Sequence, residues 1–134
     1  MIDSHAHLAE EAYDEDRAEV LTRASEAGID SVIVIGYDAP SCHRAIKVVR
    51  EFGVEKRQER DRVAGSRRSG ASKSHGVQLF ATAGVAPHHV LETNESDLAS
   101  VRNMLSEEVV VAVGEIGLDY HYDMPPDKQR ELFA

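Results

Sequence analysis

The sequence predicts an α/β fold, a parallel βα repeat that amounts to the first four units of a (β/α)8 barrel and reads as cut off there. Two observations carry this reading. Short apolar runs alternate four times with amphipathic stretches, each run ending near a glycine or a polar residue; such alternation implies βαβ units, a parallel sheet and right-handed crossovers. Groups able to do chemistry stand just past the first and fourth runs, at the ends of parallel strands where function collects.

The first strand is Ile2-Asp3-Ser4-His5-Ala6-His7. The first helix follows Asp14-Glu15-Asp16-Arg17, with Val20, Leu21, Ala24 and Ala27 as its apolar stripe and Gly28 as its stop; acidic residues at the start complement the helix dipole. Residues 31–36 read as a second buried strand, and Pro40-Ser41 opens a helix that carries Ala45, Ile46, Val48, Val49 and Phe52 to Gly53. A third strand spans 78–84, a third helix 96–105. Val109-Val110-Val111-Ala112-Val113-Gly114 has the β-branched character of a strand buried on both faces. After Pro125-Pro126 a fourth helix starts at Asp127, and the chain is expected to stop inside it at Ala134.

In an extended segment, side chains two apart point the same way. His5 and His7 therefore aim together at one point beyond the first strand, and imidazole is the commonest neutral nitrogen ligand for divalent ions. Two histidines in a disordered N-terminus are the bland alternative. Glu115, directly after the fourth strand, tips the balance: a carboxylate there has no packing use, and burial without a partner costs several kcal/mol. Two imidazoles and one carboxylate would then share a crevice.

With 134 residues the chain has the length of one domain, well short of the ~250 residues of a closed (β/α)8 barrel. The formal net charge of −9 argues against nucleic-acid affinity spread over the whole surface and suits a site that takes cations. The single cysteine, Cys42, excludes an internal disulfide and fits a reducing compartment. No secretory signal and no membrane-length apolar segment is present in the sequence, so a cytoplasmic location is expected. Residues 54–76 break the rhythm. The stretch 54–75 holds seven of the 15 basic residues but three of the 24 acidic ones, and reads as a flexible insert or a basic arm for phosphates.

Three stretches resemble the N-terminal half of a TatD-family metal-dependent deoxyribonuclease, among the amidohydrolase-like barrels. They are Ile2-Asp3-Ser4-His5-Ala6-His7-Leu8, Ala83-Gly84-Val85-Ala86-Pro87-His88 and Ala112-Val113-Gly114-Glu115-Ile116-Gly117-Leu118-Asp119-Tyr120, with Gln129-Arg130 and Phe133 continuing the third. The first motif is shared by many amidohydrolases; the third is far more specific. The resemblance implies that His5 and His7 bind one divalent ion, that Glu115 bridges it to a second, and that His88 faces the substrate phosphate. It places Asp3 as a partner orienting an imidazole, or else as a strand-end cap. His89 reads as a solvated neighbour. Ala86 departs from the family, which often carries a histidine there.

The implied chemistry is two-metal hydrolysis of a DNA phosphodiester, with Mg, Mn or Zn as the ions and single-stranded DNA as the partner. The remaining ligands of the family come from later strands that this sequence lacks, so the chain alone is expected to be inactive or nearly so. Two rivals stand beside this reading: another amidohydrolase-like hydrolase, and a non-catalytic truncated remnant or binding piece. Open sheet edges invite self-association in either case.

Overall fold

The computed structural model describes residues 1–53, 76–121 and 123–134. All of the expected basic insert except Gly76 lies outside these residues. Four parallel strands, β1 (Ile2–Ala6), β2 (Ser31–Val34), β3 (Gln78–Ala83) and β4 (Val110–Val113), form one sheet in the order β1-β2-β3-β4. Sequential order with every pair parallel requires a crossover after each strand. The helices α1 (Arg17–Glu26), α2 (Ala39–Phe52) and α3 (Glu95–Met104) supply those crossovers, and α4 (Pro126–Phe133) follows β4.

The helix starts have clear local causes. Asp38 caps α2 by accepting the Ser41 N–H at 2.7 Å, while the Ser41 hydroxyl accepts the Asp38 N–H at 2.9 Å. Asn94 caps α3 in the same reciprocal way with Asp97. Each such cap is worth about 1 kcal/mol by satisfying N–H groups that lack intrahelical partners. The core lies between sheet and helices: Leu21, Val34, Cys42, Ala45, Val77 and Ala81 have essentially no exposed surface. The free Cys42 thiol is part of it.

Three expectations need correction. The fourth strand is not buried on both faces: Val111 is 50% and Val113 58% exposed. Among the described residues it pairs only with β3, so its apolar sequence is realised as an open edge. Second, β2 is buried alternately, at Val32 and Val34, rather than throughout. Third, Ala27 is exposed at the end of α1, and the helix instead buries Arg17 beside Leu21. Arg17 lies over the Phe52 ring at 5.6 Å, and its guanidinium donates to the Leu8 carbonyl at 2.7 Å, the Glu10 carbonyl at 3.2 Å and the Asp14 carboxylate at 2.6 Å. A buried guanidinium is tolerated when its donors are used in this way. Here it shapes the loop that follows the two histidines.

Candidate metal centre

The loops at the C-terminal ends of the strands are packed backbone to backbone. Gly36 follows β2 after one residue, Gly84 follows β3 and Gly114 follows β4. The Gly114 N–H donates to the Ala83 carbonyl at 3.0 Å and the Glu115 N–H to the Gly36 carbonyl at 2.6 Å. The Gly36 N–H in turn donates to the buried Thr82 hydroxyl at 3.2 Å. A Cβ on Gly84 would stand 2.6 Å from the Gly114 carbonyl carbon and 2.8 Å from the Glu115 oxygen, so only glycine permits this approach. The peptide joining Gly114 to Glu115 is cis.

This anchoring delivers Glu115 toward β1. The Nε2 atoms of His5 and His7 are 3.2 Å apart, His5 Nε2 is 4.0 Å from Glu115 Oε2, and one ligand atom from each of the three lies within 4.8 Å of the others. Side chains from the two outermost strands thus meet across the mouth of the sheet. Two donors on one tetrahedral or octahedral ion at ~2.0–2.1 Å stand about 2.9–3.4 Å apart. The imidazole pair already has that separation, and Glu115 must draw in by about an ångström to join it. The donor set of two imidazoles and a carboxylate therefore fits a divalent ion. The His5 and Glu115 side chains are 54% and 38% exposed, so the cluster is open to solvent and to a substrate.

The other expected residues are distributed around this cluster. Asp3 accepts the main-chain N–H of His5 at 3.1 Å, which fixes the strand backbone at the first candidate ligand. His88 lies on the turn Pro87–His89 with its Nε2 3.3 Å from the Asp119 carboxylate, which belongs to the same loop as Glu115. His89 is not the solvated neighbour expected from its position. Its ring stacks on Tyr37 at 5.2 Å and its Nδ1 is 3.3 Å from Glu92. Ala86, where the family often has a histidine, is buried, with its N–H on the Tyr37 carbonyl at 2.8 Å.

Tyr37 is the residue that the sequence reading missed. Its ring lies 5.8 Å from that of His7, and its hydroxyl donates to Glu10 at 2.6 Å. That hydrogen bond, with a smaller contribution from burial and from the nearby Glu10 and Asp38 charges, holds the phenol above its ordinary pKa. Tyr37 therefore stays neutral and packs as a wall between His7 and His89. Its place directly after Gly36, at the C-terminal end of a strand, was the available signal.

A parallel sheet with a two-histidine, one-carboxylate cluster at its strand ends is an arrangement able to hold a divalent ion. Comparison with known families agrees: the model of the family "TatD related DNase" matches residues 2–134. The chain belongs to the TatD family. It is 33% identical over 134 residues to the uncharacterized metal-dependent hydrolase YabD of Bacillus subtilis strain 168, covering 99% of this chain and 43% of that protein. It is 28% identical over 130 residues to the 3'-5' ssDNA/RNA exonuclease TatD of Erwinia amylovora, covering 97% of this chain and 41% of the relative. Among solved structures, the TatD homologue YJJV of Escherichia coli K12 superimposes with a TM-score of 0.73 at 25% identity, over 99% of this chain and 43% of its own. A TatD-family hydrolase of Entamoeba histolytica gives 0.74 at 23% identity and supports the fold. The chain spans a little over two fifths of the length of these relatives. Among the described residues no helix is long and apolar enough to cross a membrane.

Proposed function

We propose that this chain carries the first part of the metal centre of a TatD-type deoxyribonuclease, with His5, His7 and Glu115 as ligands. The observation that carries the proposal is the convergence of these three side chains from opposite edges of the sheet. In this reading the imidazoles hold one divalent ion (Mg, Mn or Zn) and Glu115 bridges it to a second. Such ions supply Lewis acidity and activate water near neutral pH. Asp3 holds the His5 main chain, Tyr37 limits where the His7 ring can turn, and His88 faces the phosphate of a single-stranded DNA substrate. The relatives named as 3'-5' ssDNA/RNA exonucleases support a nucleic-acid substrate.

Three ligands fall short of the set that a hydrolytic pair of ions needs. Since the chain covers 43% of its relative's length, we read it as able to bind an ion weakly and as inactive or nearly so by itself. Residues 54–76 are read as a basic insert.

The test is calorimetric titration of the chain with Mn2+, Zn2+ and Mg2+, beside Glu115→Gln. Loss of the carboxylate charge is expected to weaken binding at least tenfold without altering the circular dichroism spectrum. Equal affinity of the two proteins rejects Glu115 as a ligand. Exonuclease activity on single-stranded DNA, compared between this chain and a full-length relative, tests the reaction itself.

A further inference from the structure

Helix α4 buries a single side chain, and it is polar: Gln129 has no exposed surface. A leucine or methionine is the ordinary occupant of such a position, since an amide without partners costs a few kcal/mol there. Gln129 uses its amide almost wholly on one residue. Its Oε1 accepts the Asp119 main-chain N–H at 2.7 Å, and its Nε2 donates to the Asp119 carbonyl at 2.7 Å, with a longer contact to the Met124 carbonyl at 3.4 Å. The side chain thus pairs with Asp119 as a neighbouring strand would. Asparagine is one methylene too short for this, and glutamate lacks the donor.

The grip matters because of what Asp119 does next. Its Oδ1 accepts the His121 main-chain N–H at 2.8 Å, and its Oδ2 is 3.3 Å from His88 Nε2. The loop is pinned at its start by the Gly114 and Glu115 N–H groups and at Asp119 by Gln129.

We propose that Gln129 is a positioning residue: its two-point hold on the Asp119 main chain sets the Asp119 carboxylate against the His88 imidazole. A substrate-facing role for His88 rests on the function proposed above; the linkage itself does not.

The experiment is Gln129→Met in the full chain, alone and combined with Asp119→Asn, read by the 15N signals of the His88 ring and by hydrogen exchange at the Asp119 amide. Gln129→Met is expected to shift the His88 ring signals and to speed Asp119 exchange at least tenfold. In the Asp119→Asn background the same substitution is expected to leave the His88 signals where Asp119→Asn alone puts them. A purely structural role lowers the melting temperature but gives no such dependence on Asp119. Unchanged His88 signals in a folded Gln129→Met protein, or equal shifts in both backgrounds, overturn the proposal. If Gln129→Met does not fold, the unaltered protein decides: an Asp119 amide that exchanges as fast as free loop amides refutes the clamp, and a slow one supports it. A parallel Mn2+ titration of the unaltered chain separates the two readings, because failure to bind metal counts against the proposed function and leaves the His88 result standing.

Discussion

Replacement of Gly84 by alanine tests the packing that delivers Glu115. The added methyl carbon would sit 2.6 Å from the Gly114 carbonyl carbon and 2.8 Å from the Glu115 oxygen, both main-chain atoms. Relief to an ordinary contact of 3.4 Å moves the start of the β4 loop by ~0.8 Å. Overpacking of this kind costs about 1–3 kcal/mol, and for a chain of this size each kcal/mol lowers Tm by roughly 3–5 °C. The expected loss is thus about 3–15 °C. The same displacement carries Glu115 away from His5 and His7, so metal affinity is expected to fall roughly 10–100-fold, as when groups that orient a ligand are disturbed. Gly114→Ala is the comparator: its methyl meets nothing nearer than Thr82 at 3.8 Å, and a change below about 1 kcal/mol is expected. The assays are thermal unfolding and calorimetric metal titration. A Gly84→Ala protein that melts and binds metal like the unaltered chain refutes the close-approach argument.

Leu21 is fully buried beneath the sheet, and Leu21→Ala is expected to cost about 2–5 kcal/mol in chemical unfolding; a loss under 1 kcal/mol shows that α1 is loosely docked. Burial pushes the Cys42 thiol above its ordinary pKa. The unfolded chain therefore releases that proton at a lower pH than the folded one, so the stabilising contribution is complete below the unfolded thiol pKa and is lost as pH rises above it. Stability measured from pH 7 to 10 is expected to fall, and Cys42→Ala to remove part of the slope; equal slopes in the two proteins contradict this. Among the described residues the outer edges of β1 and β4 have no strand partner, and with Ile2 66% and Val113 58% exposed they are expected to drive concentration-dependent association in analytical ultracentrifugation. A monomer at all concentrations rejects that expectation.

The strand–helix alternation was readable because each element carries its own local signal. Periodicity, the Gly53 stop and the proline before α4 place the elements to within a few residues. Convergence of His5 and His7 was also readable, since alternation in a strand is a local rule. The openness of β4 was not: Val111 and Val113 have a sequence suited to burial, and exposure depends on which neighbours are present. The contacts of Arg17, Tyr37 and Gln129 were not readable for a related reason. Each residue is polar or aromatic in a segment whose role is set by a contact outside its own element, from Arg17 to Leu8, Tyr37 to Glu10 and Gln129 to Asp119.

The proposed ligand cluster joins the first strand to the fourth, the two rims of the sheet among the described residues. An ion seated there ties the rims together, and its binding energy adds to folding by about 2.7 kcal/mol when the free ion is a hundredfold above its dissociation constant. Chelators should therefore loosen the whole half-barrel rather than one loop. The same cation would act as a rivet for the scaffold before any substrate arrives.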